Sequence, residues 1–441
     1  MRFQDKLKSS LVKGTLQLII AGSITRLIGL VYRMVLSRLV GAEGLGLFQM
    51  IMPVYALLVV IAGLGLSGAV TKMVADSYAR GDFARQIQVR RLALGLALIA
   101  VLALSILLWI VFSFPLEFIP DRRIVPAIRL MPAAFSFAAL SSVLRSFSQG
   151  RANMAPTALS QVAEQIFRVS IGLAAAFYLV PYGLSSVLAG LVAGIAAGEV
   201  ACFLILFMMQ KNEGPSTIHA GISLSIGKEM FSLSLPILVI RLSTSITQTL
   251  ESLLIPARLQ VAGFSSAQAT TLFGQLSGMA LPLIFLPTVL IIPVNTTIVP
   301  AVAGAATLHL KERLYRLVKL SIWGSLLLGA ASAALLYLNA STLTALFYGS
   351  TAAAPLVMRL APAVPFAYLQ FTTAAILHGM GRPGIAVAND LGGTLIGLMI
   401  IYALTANPSW GINGVVIAYT VTFILITLAD CLAIAFLSRK V

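Results

Sequence analysis

The chain has 441 residues, of which 59% are hydrophobic and only 10% are charged, and its formal net charge is +16. A soluble domain carries about 25% charged residues, so this chain lacks the polar side chains needed to cover a water-facing surface. The basic balance would suit nucleic acid or a membrane, and the mean hydropathy of +0.99 decides for the membrane. Two cysteines and three widely separated histidines predict neither a disulfide framework nor a metal site.

Twelve apolar stretches are long enough to cross a bilayer, because a spanning helix needs roughly 20 mostly apolar residues. Their uniform apolarity favours helices over the short alternating segments of transmembrane strands. The first stretch is too long for the core of a signal peptide and is predicted to be a retained span. The stretches are 16–39, 45–67, 92–114, 125–147, 155–179, 184–209, 231–256, 269–298, 317–338, 355–377, 385–404 and 412–437.

The basic residues predict the orientation, since cytoplasmic loops carry an excess of Lys and Arg. With the N-terminal tail in the cytoplasm, the inner segments include the basic loops 80–91 and 311–319 and the C-terminal Arg439 and Lys440. Three outer turns, around Pro181, Asn339 and Asn407, have no basic residue. Both termini are therefore predicted to be cytoplasmic.

The two halves of the sequence resemble each other. Arg129-Leu130-Met131-Pro132 recurs as Arg359-Leu360-Ala361-Pro362 at a shift of 230, and Gly150-Arg151 recurs as Gly381-Arg382 at a shift of 231. Six spans in each half give a parallel repeat, related by an axis along the membrane normal. The prediction is an all-α polytopic membrane protein with an N-terminal lobe (1–212), a cytoplasmic linker (213–228) and a C-terminal lobe (229–441), an architecture typical of transporters.

Charged residues inside the first span form the first candidate site. Gly22, Arg26, Gly29 and Arg33 follow a spacing of i, i+4, i+7 and i+11, which places them on one helical face. No carboxylate within this span neutralises the two arginines, and guanidinium groups grip phosphate in a bidentate manner. We predict that Arg26 and Arg33 bind an anionic substrate. The alternatives are close helix packing by the glycines and an Arg33 side chain that reaches the interface.

Two further polar stripes lie in apolar spans. The fifth span carries Gln161, Glu164, Gln165 and Arg168, in which Glu164 and Arg168 are spaced for an i, i+4 ion pair. These four residues are predicted to line a cavity or to form an internal ion pair. The seventh span carries a stripe that contains Arg241, Thr244, Ser245, Gln248, Glu251 and Ser252. Of these, Arg241, Gln248 and Glu251 are predicted to contact the substrate.

Lone acids and prolines complete the candidate residues. Asp390, Glu199 and Asp430 each stand in an apolar span, where an acid binds a coupling ion or a proton or, more often, pairs with a neighbouring helix. We assign Asp390 to a cavity or an ion pair. Three prolines in the eighth span, Pro282, Pro287 and Pro293, remove helix hydrogen bonds and predict a bend.

Two segments near the N-terminus, 23–33 and 38–50, carry a family resemblance. The first reads Ser23-Ile24-Thr25-Arg26-Leu27-Ile28-Gly29-Leu30-Val31-Tyr32-Arg33, and the second reads Arg38-Leu39-Val40-Gly41-Ala42-Glu43-Gly44-Leu45-Gly46-Leu47-Phe48-Gln49-Met50. They resemble the polysaccharide-biosynthesis and stage V sporulation protein B branch of the MATE-like (MOP) flippase superfamily. Arg26 and Gly29 also fit the lipid II flippase pattern Ser-Arg-x-x-Gly-x-x-Arg. Arg33 comes one residue after the position at which this pattern has its second arginine. The resemblance implies two six-helix lobes and the flipping of lipid-linked sugar precursors across the cytoplasmic membrane of a bacterium.

The sequence leaves several functions to be compared. The preferred one is a flippase for a polyprenyl-pyrophosphate-linked glycan, and the second is a MATE-type cation-coupled drug antiporter, which would favour an acidic cavity. A membrane glycosyltransferase would need a catalytic domain or paired carboxylates near an interface, so no enzymatic activity is predicted. A scaffold without transport activity is the fourth. No cofactor and no nucleic-acid partner are expected, whereas an ion gradient, the membrane potential and cell-envelope synthesis proteins are candidate couplings and partners.

Overall fold

A computed structural model describes residues 2–114, 119–211 and 224–438, without the side chains of 2–13, 15, 292 and 293. Every regular element in these three ranges is a helix. The α-helices are α1 (Arg2–Gly63), α2 (Leu66–Ala79), α3 (Phe83–Val111), α4 (Val125–Arg129), α5 (Met131–Gly150), α6 (Ala155–Leu179), α7 (Leu184–Gln210), α8 (Leu224–Val261), α9 (Ser266–Phe273), α10 (Leu281–Phe285), α11 (Thr288–Thr307), α12 (Lys311–Tyr348), α13 (Ala354–Leu360), α14 (Val364–Gly379), α15 (Pro383–Leu404) and α16 (Ile412–Ser438).

The long apolar helices make the chain a multi-pass membrane protein. In the described ranges, 10 helices are long and apolar enough to cross a membrane, or up to 11 if the bent pair α4 and α5 forms one span. The first candidate, Leu16–Gly63, has 48 residues and contains both of the first two predicted spans. These are joined by a break at Gly41, where φ is 66° and ψ is −171°. Glycine adopts this conformation without the steric penalty that a Cβ atom brings.

The eighth predicted span is interrupted, as its prolines indicate. A π-helix, Gly274–Ala280, joins α9 to α10, and α10 is separated from α11 by Leu286 and Pro287. Pro282 stands in the first turn of α10, where a missing N–H costs little. Pro287 stands at the break before α11, where its missing N–H and fixed φ interrupt the helix.

The described chain divides into two compact units. The first comprises residues 1–41 and 50–249, and the second comprises 42–49 and 250–441. The predicted linker 213–228 lies mostly outside the described residues, because the structure resumes at Leu224 with α8. The lobe boundaries at 212 and 229 stay a prediction.

The sequence repeat produces the same local structures in both units. Arg129 ends the short helix α4, and α5 follows at an angle of 50° with Pro132 in its first turn. Arg359 likewise falls in the last turn of the short helix α13, and a 3-10 turn containing Pro362 leads into α14. Each of these segments is followed by two long helices, α6 and α7 in the first unit and α15 and α16 in the second.

One helix crossing in the second unit depends on glycine. A Cβ atom on Gly274 would lie 1.8 Å from the carbonyl oxygen of Ala42, and one on Gly46 would lie 2.1 Å from that of Thr270. Small residues allow backbones in a membrane to approach this closely. The segment 42–49 and the start of the π-helix therefore pack through their main chains.

We expect Gly274→Ala to destabilise the protein by about 1–3 kcal/mol, since the added methyl group must displace backbone. Gly392→Ala is the matched control, because no atom lies within 4 Å of the position where its Cβ would stand. Thermal midpoints of the two detergent-purified variants test this. Equal thermal midpoints for Gly274→Ala and Gly392→Ala would mean that the backbones at this crossing move apart without a cost in stability.

Candidate functional site

A polar pocket of about 270 Å³ lies in the first unit. Its walls come from three helices, with Gly22, Thr25 and Arg26 from α1, Arg145 from α5, and Gln161, Glu164 and Gln165 from α6. Apart from Gly22, every residue that lines it carries a polar or charged side chain. A pocket of this kind between apolar helices marks a place where a polar ligand can be accommodated.

Arg26 is the exposed cation of this pocket. Its side chain is exposed, and none of the described residues forms an ion pair or hydrogen bond with it. The amides of Gln161 and Gln165 also have no hydrogen-bond partner in the described ranges. The wall therefore offers one guanidinium group and two amide groups whose hydrogen-bonding capacity is unused.

Gly29 of α1 lies toward α6, whereas no atom lies within 4 Å of the position that a Cβ atom on Gly22 would take. A Cβ atom at Gly29 would stand 3.5 Å from Nε2 of Gln165, and one at Gly172 of α6 would stand 3.1 Å from the hydroxyl of Tyr32. The lack of side chains at Gly22 and Gly29 leaves the sides of Arg26 uncovered. Access of a ligand to Arg26 follows from this packing.

Behind the pocket, ion pairs connect three helices. Arg145 on α5 contacts Glu164 on α6 at 2.5 Å, and Arg168 pairs with the other oxygen of the same carboxylate. Arg168 also lies 3.1 Å from Glu199 on α7. The hydroxyl of Tyr55 donates to that same Glu199 oxygen at 2.9 Å. We call these four charged residues and Tyr55 the buried network; its two guanidinium groups and two carboxylates balance in charge.

Close packing of α6 and α7 brings Glu199 to this network. Gly190, Gly194 and Gly198 recur every four residues on α7, and a Cβ atom on any of them would lie within 2.6 to 2.7 Å of α6. At Gly198 the nearest atom is the carbonyl oxygen of Glu164. Only a glycine at this position lets the two backbones meet, which sets Glu199 beside Arg168.

The ligand-type atoms of Glu164, Glu199 and Cys202 lie within 4.8 Å of one another, a spacing at which three ligands could hold a metal ion. Both carboxylates are engaged by guanidinium groups, and Nη2 of Arg145 also lies 2.9 Å from the sulfur of Cys202. A metal ion would have to displace two cations. The donor set fits an ion-pair network better than a metal centre.

The remaining predicted substrate residues stand apart from the pocket. Arg33, Arg241 and Gln248 are exposed and have no partner in the described ranges, and they are not among the residues that line the pocket. Glu251 belongs to the second unit, where its carboxyl group interacts with the hydroxyl of Tyr419 on α16. Their contact with a substrate stays a prediction.

The lone acids of the second unit have hydrogen-bond partners on neighbouring helices. Asp430 is buried and accepts hydrogen bonds from Thr373 at 2.9 Å and Asn389 at 2.8 Å. Asp390 accepts one from Gln370 at 3.0 Å. Each acid thus joins a helix to its neighbour, the more frequent of the two roles considered for them.

The sequence does not mark Arg145 and Tyr55 as members of the site, although both belong to the buried network. Arg145 lies near the end of the predicted span 125–147, where a basic residue is typical of a cytoplasmic helix end, and Tyr55 belongs to no charge pattern. A usable signal was the four-residue glycine repeat on α7, which predicts a close neighbour helix and hence a partner for Glu199. No comparable signal in the sequence identifies Arg145.

Comparison with known proteins adds a family and a fold. The family model described as polysaccharide biosynthesis protein matches residues 11–305. Stage V sporulation protein B of Bacillus subtilis (strain 168) is 33% identical over 431 residues, covering 96% of this chain and 83% of that protein. Lipid II flippase MurJ of the same organism is 25% identical over 434 residues, covering 89% of this chain and 77% of that protein.

Among solved structures, an inward-facing multidrug resistance MATE family transporter of the MOP superfamily matches with a TM-score of 0.76. It is 17% identical in sequence, and the match covers 96% of this chain and 99% of that one. A likeness at this level of identity concerns the fold alone, and it confirms the two-lobed, MATE-like helical fold that the family resemblance implies.

Proposed function

Because the chain belongs to the polysaccharide biosynthesis protein family, we propose that this membrane transporter flips a polyprenyl-pyrophosphate-linked glycan across the cytoplasmic membrane by alternating access. Both termini lie in the cytoplasm in this proposal. An ion gradient or the membrane potential drives the cycle, and envelope-synthesis proteins supply or remove the lipid-linked sugar. The names of the relatives, a sporulation protein and a lipid II flippase, support a precursor of the cell envelope as cargo.

The observation that carries the proposal is the uncompensated Arg26 at the wall of a polar pocket. A charge at mid-bilayer costs about 2.5 kcal/mol or more on insertion scales. No described side chain offsets this charge, which leaves the guanidinium group available to water or to a bound anion. A pyrophosphate suits it, because a guanidinium group can donate two parallel hydrogen bonds to one phosphate group. Gln161 and Gln165 supply amide donors and acceptors for sugar hydroxyls beside it.

The charges of the pocket argue against the drug antiporter, the second candidate. A cationic drug would need an available carboxylate. Glu164 is the one acid that lines this pocket, and it is already paired with Arg145 and Arg168. Together with Glu199, these residues form the charge-balanced buried network, so the exposed Arg26 beside it makes the pocket positive rather than negative.

Reconstitution into proteoliposomes tests the proposal. The probe is a fluorescent polyprenyl-diphosphate-linked disaccharide, whose arrival in the outer leaflet is read by a membrane-impermeant quencher. We expect flipping above the rate of empty liposomes and no uptake of a cationic dye under an imposed Na⁺ or proton gradient. Dye uptake without lipid flipping would instead support the antiporter. If the protein shows neither lipid flipping nor dye uptake under any imposed gradient or potential, both proposed classes of transport are contradicted.

A further inference from the structure

A second arginine lines the Arg26 pocket. Arg145, near the end of α5, belongs to the same wall as Arg26 of α1 and Glu164 of α6. Three helices thus bring two guanidinium groups and one carboxylate to one polar pocket. A diphosphate contains two phosphate groups, and each of them can accept a pair of hydrogen bonds from one guanidinium group. The pocket therefore offers one arginine for each phosphate group.

One nitrogen of the Arg145 head group is unused. Nη2 contacts Glu164 at 2.5 Å and the sulfur of Cys202 at 2.9 Å. Nε lies 3.4 Å from the hydroxyl oxygen of Ser160. Nη1 has no hydrogen-bond partner among the described residues, and it is not one of the fully buried polar atoms that lack a partner. Its N–H groups are therefore available to a ligand in the pocket.

The ion pair of Arg145 can be exchanged for a ligand without leaving a carboxylate uncontacted. Glu164 accepts from Arg145 with one oxygen and from Arg168 with the other. Arg168 also lies 3.1 Å from Glu199, and it is not among the residues that line the pocket. When Arg145 turns to a ligand, Arg168 still contacts both carboxylates. Arg145 is therefore the exchangeable cation of the buried network, and Arg168 is the fixed one.

We propose that Arg145 binds the second phosphate group of a diphosphate and that Glu164 makes the pocket selective for diphosphates over monophosphates. A monophosphate on Arg26 has no further phosphate group with which to displace Glu164, so Arg145 stays on that carboxylate. A diphosphate on Arg26 keeps its second phosphate group in the same pocket, where it competes with Glu164 at a high effective concentration. The assignment rests on the proposed function for the lipid that carries the diphosphate.

Neutralising Glu164 tests the exchange. Full-length protein in nanodiscs is titrated with polyprenyl diphosphate and with polyprenyl monophosphate, each in competition with the fluorescent lipid-linked disaccharide. Glu164→Gln releases Arg145 from its carboxylate, so we expect the diphosphate to bind about tenfold more tightly than to the wild type, or about 1.4 kcal/mol. A carboxylate that only supported the fold would not improve binding when it is neutralised.

A double variant tests selectivity. Arg145→Gln/Glu164→Gln removes one charge of each sign and leaves the pair of Arg168 and Glu199 in place. With Arg26 as the remaining guanidinium group of the pocket, we expect the preference for diphosphate over monophosphate to fall about tenfold. Because the buried charges of this variant balance, it decides the role of Arg145 even if Glu164→Gln alone fails to fold.

The ion pair of Arg85 and Glu229 supplies matched controls. Nη2 of Arg85 lies 2.5 Å from the Glu229 carboxylate, the same distance as in the pair of Arg145 and Glu164. Neither Arg85 nor Glu229 lines the pocket. Glu229→Gln and Arg85→Gln/Glu229→Gln should therefore keep both affinities at their wild-type values.

Three results would overturn the role of Arg145. They are a wild type that binds both lipids equally, a folded Glu164→Gln that binds the diphosphate no more tightly than the wild type, and an unchanged preference in Arg145→Gln/Glu164→Gln. Each can occur in a protein that flips the lipid-linked disaccharide, so the proposed function would stand. Competition by inorganic pyrophosphate as effective as by polyprenyl diphosphate would instead contradict a lipid-linked substrate and leave the assignment of Arg145 in place.

Discussion

Arg26→Ala is expected to abolish flipping of the lipid-linked disaccharide while the protein still reaches the membrane in near-normal amount. The side chain is exposed in its pocket and pairs with no described residue. Its removal therefore leaves no partner unsatisfied and takes a costly charge out of an apolar span. If pyrophosphate is the partner, the loss appears in transport and not in folding. Flux and membrane abundance, measured on the same preparation, separate these effects.

Arg26→Lys should retain only part of the activity. Lysine keeps the positive charge but presents a point charge, which cannot donate the two parallel hydrogen bonds of a guanidinium group. Arg80→Ala, an exposed arginine outside the pocket, serves as the control for a general loss of positive charge and should transport normally. Full transport by Arg26→Ala would remove Arg26 from substrate binding, and loss of folded protein in both Arg26 variants would make it a structural charge.

The helical membrane fold was predictable because it follows from properties that are local in the chain. A run of about 20 apolar residues must bond its backbone internally in lipid, which specifies a helix. The repeated Arg-Leu-x-Pro segments specify the same interruption at Arg129 and Arg359. The break at Gly41 inside one long helix is harder to predict from the sequence, since a glycine between two apolar runs also fits an ordinary turn.

The site was predictable only where its contacts are local. The pair of Glu164 and Arg168 follows from i, i+4 spacing on one helix, and both residues do meet in the structure. Arg145 lies 19 residues from Glu164, and Glu199 lies 31 residues from Arg168. These contacts depend on how α5 and α7 pack against α6. The glycine repeat of α7 indicates a close neighbour for that helix, but no pattern within one helix identifies the neighbour or brings in Arg145. The sequence therefore indicates the pair and singles out Glu199 as an acid that needs a partner, but it does not identify Arg168 as that partner or Arg145 as a further member.

The second large expected effect is a loss of folding stability when the charge balance of the buried network is broken. Arg168→Met removes one of two guanidinium groups and leaves Glu164 and Glu199 to share Arg145, which contacts Glu164. The four charged side chains are 7% to 21% exposed, so the surplus carboxylate cannot be well hydrated. Breaking a buried pair from one side costs about 3–5 kcal/mol. We expect Arg168→Met to lower the thermal midpoint strongly and to reduce the amount of folded protein.

A second substitution distinguishes charge from packing. Arg168→Met/Glu199→Gln again balances the network, as Arg145 and Glu164 remain paired and the hydroxyl of Tyr55 can still donate to the amide oxygen at position 199. We therefore expect the double variant to be more stable than Arg168→Met alone, a coupling that a double-mutant cycle measures directly. Arg122→Met, which removes an exposed arginine without a described partner, should change little. If the two substitutions were simply additive, the instability would come from lost packing around the arginine stem, and the network would not be held together by its charges.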